Sequence, residues 1–176
     1  INVQASHFGR DGIMLCSSDT PPMNISITGC SFNFNCRTGM SWGGGNGLSI
    51  SDSQFNYNGI GRIVSPTASG FDAELEGPSS VCSSPTMVAN ARFTKCEFSG
   101  NRATGFITDQ ASLSTKNISF DNCVFRTSAD PDSYCTWQRS KAIQYKGCTF
   151  FGRVGPFYDA STTTWPPSGP DHRTIF

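Results

Sequence analysis

The chain has 176 residues, 15% of them charged, and its 13 lysines and arginines balance its 13 aspartates and glutamates. A chain without a basic field does not hold a phosphate backbone, so nucleic acid is not an expected partner. No apolar run approaches the roughly 20 residues of a membrane helix, so membrane insertion is not expected either.

Segments of one template recur along the chain. The template reads apolar, polar, apolar, two polar, small, variable, Phe. Its alternation predicts a short strand with one buried face, followed by a bend. Six segments fit it: 1–8, 25–32, 48–55, 91–98, 118–125 and 143–150. Their last residues are Phe8, Phe32, Phe55, Phe98, Phe125 and Phe150.

A second strand is predicted after each copy, where a glycine mostly precedes a large apolar residue. These stretches are 12–15, 39–42, 70–74, 105–109, 134–137 and 155–159. One coil of two such strands cannot bury its own apolar residues, but stacked coils close a continuous interior. The sequence therefore predicts an all-β fold, a parallel β-helix (a single-stranded solenoid) of about six coils.

The coils are predicted to occupy residues 1–160 as one domain, followed by a Pro-rich tail at 161–176. The long interval between Phe55 and Phe98 contains a loop insertion near 64–89, and such insertions often flank a binding face. Ile1 falls within a coil pattern, and an uncapped solenoid exposes unpaired strand edges. We therefore expect a fragment of a longer chain, a homotrimer or end-to-end association.

The eight cysteines divide into two groups. One position of the template is always small, and its residues are Ser6, Cys30, Ser53, Cys96, Cys123 and Cys148. Buried free cysteine packs like a small apolar residue, so the cysteines of this ladder are predicted to be reduced. The candidates for a disulfide are Cys16, Cys36, Cys82 and Cys135, for example Cys16 with Cys36. No zinc-type spacing occurs.

The repeated pattern of strand, small residue, variable residue, Phe and polar-Asn occurs at 30–35, 53–58 and 96–101. It resembles the pectate-lyase-like superfamily of right-handed parallel β-helices, which includes polysaccharide lyases, epimerases, hydrolases and phage tailspikes. The stretch from Gly70 to Glu76 is similar to the Gly-Ile-Asp-x-Glu stretch of many bacterial and phage β-helix proteins, although Leu75 replaces the Pro that often follows. The resemblance implies right-handed coils and an extracellular, cell-surface or virion location.

The same stretch provides the candidate catalytic residues. If Phe71 and Ala73 point inward, Asp72, Glu74 and Glu76 point outward from the same strand. Alignment of Gly70 with Gly105 then places Asp109 of the next coil near Glu74. The predicted catalytic residues are Asp72, Glu74 and Asp109. When two carboxyl groups lie close together, one stays protonated and can act as the acid while the other acts as the base, as glycoside cleavage requires. The alternative interpretation is that these acids are ordinary exposed side chains on a solvated sheet face.

Substrate-binding residues are expected around this cluster. They are Glu76, Gln138, Arg139, Trp42, Trp137 and Tyr158. The aromatic rings would stack on sugars, although burial in the core is the alternative for both tryptophans. No cofactor or resident metal is expected, except Ca²⁺ if the reaction is of the lyase type.

Two functions follow as alternatives. The first is a carbohydrate-active protein that binds or cleaves an extracellular polysaccharide as a glycoside hydrolase, lyase or epimerase. The second is a non-catalytic structural or receptor-binding segment of a phage tail spike or fibre, or of a cell-surface protein. An exposed, acid-lined groove favours the first, and a filled or buried face favours the second.

Overall fold

The computed structural model describes residues 2–16, 22–65, 67–74, 88–108, 115–127, 134–138 and 141–157. The strands within these ranges are β1 (Ile13–Leu15), β2 (Met23–Thr28), β3 (Met40–Trp42), β4 (Gly45–Ser51), β5 (Phe71–Asp72), β6 (Val88–Thr94), β7 (Glu97–Asn101), β8 (Phe106–Ile107), β9 (Thr115–Asp121), β10 (Val124–Thr127), β11 (Tyr134–Gln138), β12 (Lys141–Lys146), β13 (Thr149–Phe151) and β14 (Arg153–Phe157). No described helix is long and apolar enough to cross a membrane.

The strands form three parallel sheets that enclose one core. The five-stranded sheet has the order β2-β4-β6-β9-β12, and the three-stranded sheet has the order β7-β10-β13. The six-stranded sheet has the order β1-β3-β5-β8-β11-β14. Each coil passes from the five-stranded sheet to the position of the three-stranded sheet and then to the six-stranded sheet. The coils before β7 pair at the middle position through single bridges, which join Gln4, Ser31, Gln54 and Glu97 in succession. The predicted parallel solenoid is confirmed, with about four turns rather than six coils.

The predicted phenylalanine column is confirmed for five of its six members. The ring centroids of Phe32, Phe55, Phe98, Phe125 and Phe150 follow one another at 5.1, 4.9, 4.8 and 5.2 Å. Phe8 is the exception, because it is 51% exposed. Gln4 pairs with Ser31, so Ala5 rather than Phe8 occupies the level of Phe32. The same register makes Ser6 wrong as a member of the small-residue ladder.

The predicted second column is also confirmed where glycine precedes an apolar residue. Ile13 pairs with Met40, Met40 with Phe71, and Phe71 with Phe106. The residue before each of them is a glycine, and a Cβ on Gly70 would lie 2.5 Å from the carbonyl oxygen of Gly105. Glycine is therefore needed there because the backbones of neighbouring coils approach too closely for a side chain.

One left-handed residue turns each coil from the five-stranded to the three-stranded sheet. The residues at this bend are Gly29, Asp52, Lys95, Asn122 and Gly147, with φ between 50° and 65°. Left-handed backbone costs little for glycine and is tolerated by Asn and Asp. The polar pair of the template corresponds to this bend, as predicted.

An asparagine ladder holds the next bend from inside. The side chain of Asn35 donates to Asn58 Oδ1 at 3.1 Å, and the side chain of Asn58 donates to Asn101 Oδ1 at 2.9 Å. The same two oxygens accept backbone N–H groups of Asn35 and Asn58, each at 2.9 Å. All three residues are buried, so the ladder satisfies backbone groups that solvent does not reach.

The cysteine ladder is confirmed as reduced. None of Cys30, Cys96, Cys123 and Cys148 is in a disulfide, and the backbone N–H of Cys96 lies 3.4 Å from Cys123 Sγ. The suggested pairing of Cys16 with Cys36 is wrong, because Cys16 is disulfide-bonded whereas Cys36 is free. Cys135 is also free and is buried in the core, so it is not a disulfide candidate either. Cys82 lies outside the described residues.

Thiol labelling should follow burial. Cys36 and Cys148 are half-buried, whereas Cys30, Cys96, Cys123 and Cys135 are buried. The hydrogen bond with Cys123, together with burial, raises the pKa of Cys148 well above its usual range, so Cys148 is expected to react slowly despite its partial exposure. Burial raises the pKa of Cys135 to about 11, which leaves about one thiol in a thousand ionised at pH 8. We expect a thiol reagent at pH 8 to modify Cys36 first and the four buried thiols only after denaturation, as followed by mass spectrometry. Cys36→Ser should remove the fast phase, and rapid native labelling of a buried ladder cysteine would contradict the packing.

Candidate functional site

The outer face of the six-stranded sheet contains the predicted acids. Phe71 and Ala73 are fully buried in the core, so Asp72 between them faces outward, as predicted. Glu74 follows two residues later, after the end of β5, and is half-buried. Glu76 and Asp109 lie outside the described residues. The predicted alignment of Glu74 with Asp109 agrees with the pairing two residues earlier in each strand, where Asp72 pairs with Ile107.

Asp72 is a covered carboxyl group rather than an exposed one. It is 5% exposed, and Thr67 Oγ1 donates to its Oδ2 at 3.4 Å. Thr67 Oγ1 also lies 3.3 Å from Thr38 Oγ1, so two hydroxyl groups lead to the carboxylate. Ser41, its register partner, is buried, and its Oγ has no hydrogen-bond partner within the described ranges. Asp72 is therefore covered on the outer face, and Glu74 is the more accessible of the two acids.

Two predicted substrate-binding residues lie in the core. Trp42 is 1% exposed, which supports the core interpretation of its ring and leaves no face for a sugar. Gln138 is 2% exposed, and its Oε1 accepts a hydrogen bond from the Tyr145 hydroxyl at 2.6 Å. Burial raises the pKa of Tyr145 well above its usual range, so its hydroxyl keeps its proton and acts as the donor.

The remaining predicted binding residues are less deeply placed or not described. Trp137 is half-buried, and its ring packs edge-on against Tyr134 at a centroid distance of 5.0 Å. Arg139 and Tyr158 lie outside the described residues. The described part of the acid-bearing face is therefore Asp72, Glu74, Ser41 and Thr67, with Trp137 two levels away.

The described residues do not form a site for a metal ion. Calcium takes six to eight oxygen ligands, several of them usually carboxylates. No group of three or more His, Cys, Asp or Glu side chains comes together in the described ranges.

The sequence interpretation missed a second surface, the outer face of the five-stranded sheet. Its central column consists of Ser26, Ser49, Arg92, Ser119 and Gln144, which lie side by side on successive strands. All are exposed except Ser119, which is half-buried. Two open depressions, of about 370 and 270 Å³, lie along this column and share Arg92 as a lining residue.

A row of amides borders this surface. The Asn90 side chain donates to Asn46 Oδ1 at 2.7 Å, and the Asn117 side chain donates to Asn90 Oδ1 at 3.1 Å. Asn24, Asn90 and Asn117 all have φ near 60°, a left-handed conformation that asparagine tolerates better than most residues. The signal that was available in the sequence is the asparagine directly before three of the template segments, at Asn24, Asn90 and Asn117.

Three exposed rings stack on the bend between the three-stranded and six-stranded sheets. The His7 and Phe34 centroids are 5.5 Å apart, and the Phe34 and Tyr57 centroids are 5.2 Å apart, with nearly parallel planes. The far side of Tyr57 covers Gly100, where a Cβ would lie 2.5 Å from the ring. Because the faces of Phe34 and Tyr57 are occupied, these rings present edges to solvent and do not form a platform for sugar stacking.

Three parallel sheets, stacked phenylalanines and a buried asparagine ladder define a parallel β-solenoid. A family model described as a right handed beta helix region matches residues 1–164, so the chain belongs to the right-handed β-helix family. A search of curated proteins found no match, and a search of solved structures found none either.

Proposed function

We propose that this protein acts on or binds an extracellular polysaccharide at the acid-bearing face of the six-stranded sheet. The observation that supports the proposal is that two carboxyl groups two residues apart, at the end of one strand, differ in burial. Asp72 is buried and held by Thr67, whereas Glu74 is partly exposed. Differences in environment of this kind assign different roles to two acids of one site.

Glu74 is the group that exchanges a proton with the polysaccharide. A hydrolase needs an acid that protonates the leaving glycosidic oxygen, and a lyase or epimerase needs a base that removes the proton beside a uronate carboxylate. Asp72 is too deeply covered to touch a polymer and acts as a positioning residue for this face. The complement to Glu74 would come from the next coil, where Asp109 was predicted.

Glu74→Gln tests the catalytic part of the proposal. Removal of a general acid or base costs about 100-fold to 10,000-fold in rate, so turnover should fall at least 100-fold while the fold is retained. The measurement is release of reducing ends and of unsaturated products from a panel of neutral and anionic polysaccharides. Glu97→Gln is the matched control, because half-buried Glu97 lies on the three-stranded sheet.

The outcomes separate the two functions. Turnover that Glu74→Gln abolishes and Glu97→Gln preserves supports catalysis at this face. Polysaccharide binding without turnover in the native protein contradicts catalysis and leaves a binding protein. Absence of both overturns the proposal in favour of the structural or receptor-binding alternative.

The deep burial of Asp72 is the observation that favours that alternative, a segment of a phage tail spike or fibre or of a cell-surface protein. Such a segment would associate as a homotrimer or end to end through its outermost strands, such as β2 and β12. Sedimentation velocity at increasing protein concentration tests this association. An extracellular, cell-surface or virion location is part of both proposals, and the disulfide at Cys16 supports it because disulfides persist in oxidising compartments.

A further inference from the structure

We infer that the outer face of the five-stranded sheet is a second carbohydrate-binding surface, which takes a neutral, hydroxyl-rich glycan laid across the strands along the solenoid axis. The inference shares with the proposed function only the kind of ligand, because it concerns a different sheet and different residues. Four features of this face carry it: its regular spacing, its depressions, its hydrogen-bonding groups and its charge.

The spacing of this face matches an extended sugar chain. Parallel strands lie about 4.8 Å apart, so successive side chains of the column repeat at that distance along the solenoid. This is close to the length that one pyranose unit adds to an extended glycan. Ser26, Ser49 and Arg92 therefore offer one polar side chain for each sugar unit.

The depressions give the chain a place to lie. The larger one extends over three strands and is lined by the Asn24, Ser26, Ser49 and Asn90 side chains, with Ile25 and Leu48 also contributing. The smaller one continues over the next two strands as far as Gln144 and Lys146. Arg92 lines both, so the two depressions adjoin at its side chain and follow one another along the column as one track with polar walls.

The hydrogen-bonding groups suit hydroxyl ligands. Serine hydroxyls and asparagine amides both donate and accept, as sugar hydroxyls do. Arg92 and Asp121 add a donor and an acceptor side by side, since Arg92 Nη2 donates to Asp121 Oδ2 at 3.0 Å. Neighbouring hydroxyls of one sugar can accept from the guanidinium and donate to the carboxylate in the same plane.

The charge of this face indicates a neutral rather than an anionic glycan. Among the described residues, Arg92 is the only ionisable one that lines the larger depression, and Asp121 compensates its charge. Lys146 is the one further cation among the described residues that line the smaller depression. A polyanion with one charge on every sugar would meet Ser26 and Ser49 on neighbouring strands, where no described cation compensates its charges.

Two variants on the track test the inference, and a third serves as control. Ser49→Trp fills the larger depression, and Arg92→Ala removes the residue shared by both. The control is Arg126→Ala, an exposed arginine that packs over Phe151 at 3.8 Å on the three-stranded sheet. The probes are a soluble neutral glucan, a galactomannan and a polyuronate, measured by calorimetry at low and high salt. Thermal unfolding checks that each variant is folded.

The expected result is binding of a neutral glycan that changes less than twofold with salt and weakens at least tenfold in Ser49→Trp and Arg92→Ala, but not in Arg126→Ala. Preference for the polyuronate with a steep salt dependence would overturn the inference, as would native affinity in Ser49→Trp or absence of glycan binding. The proposed function is tested separately. Glu74→Gln should leave this binding unchanged, and Ser49→Trp should leave turnover of short oligosaccharides unchanged.

Discussion

Asn58→Ala is expected to lower the free energy of unfolding by about 4 kcal/mol, because it removes the middle of the buried asparagine ladder. The Asn58 amide accepts from the backbone and side chain of Asn35 and donates to the carbonyl of Phe32 at 3.1 Å and to Asn101 Oδ1. Without the Asn58 side chain, the backbone N–H of Asn35 and one of its side-chain N–H groups have no acceptor in a region that solvent does not reach. Each unsatisfied buried group costs about 1–3 kcal/mol. The measurement is equilibrium unfolding in urea.

Asn90→Gly is the matched control, because Asn90 belongs to the exposed row of amides on the five-stranded sheet. Its φ of 61° suits glycine, and water replaces its lost hydrogen bonds, so the expected change is within about 1 kcal/mol. Equal destabilisation by the two variants would show that burial of the inner ladder adds nothing to the stability of the coils.

The stacking of the coils was predictable because two independent signals share one period. The first signal is the alternation of apolar residues within each template strand. The second is the glycine before a large apolar residue, such as Phe71 or Phe106, which recurs at a similar distance after the template strand. The prediction failed at Phe8, where the segment offers two apolar residues three positions apart. Only the pairing of Gln4 with Ser31 shows that Ala5 is the residue in register. A sequence pattern identifies which residue types recur, whereas the backbone pairing determines which residue of one coil lies over which residue of the next.

The cysteines show the same limit. Reduced cysteine at a repeated small position was predictable, since Cys96 and Cys123 occupy the place that Ser53 fills in another coil. The pairing of Cys16 was not predictable, because a disulfide depends on the path of the connecting segments and not on the strand period. Cys36 lies beside Phe8, whose carbonyl accepts from its backbone N–H, whereas Cys16 directly follows β1, and Cys36 forms no disulfide.

The candidate sites were only partly predictable. Alternation correctly places Asp72 outward, but it does not reveal that Thr67, from the preceding connection, covers the carboxylate. The outer face of the five-stranded sheet was missed for another reason. Ser49 alone is an ordinary exposed serine, and it becomes part of a track only when Ser26 and Arg92 lie beside it on neighbouring strands.

Phe98→Ala is expected to lower the free energy of unfolding by about 4 kcal/mol, as much as Asn58→Ala, because it opens a cavity in the middle of the phenylalanine column. Phe98 is fully buried and stacks between Phe55 at 4.9 Å and Phe125 at 4.8 Å. Phe93 and Phe120 contact it edge-on at 5.8 and 5.9 Å, so aromatic rings surround the gap. Urea unfolding measures the loss, with Phe151→Ala as control because Phe151 is 45% exposed.

The position of Phe98 also predicts which coils lose stability in Phe98→Ala. In a solenoid each coil contacts only its neighbours, so stability is close to a sum of coil terms and interface terms. Phe98→Ala weakens the interfaces to the coils of Phe55 and Phe125 together. Amide hydrogen exchange should therefore accelerate most in β4, β7 and β10, and less in β13 at the far end. Uniform acceleration across all strands would contradict nearest-neighbour coupling and would show that the described coils unfold as a single unit.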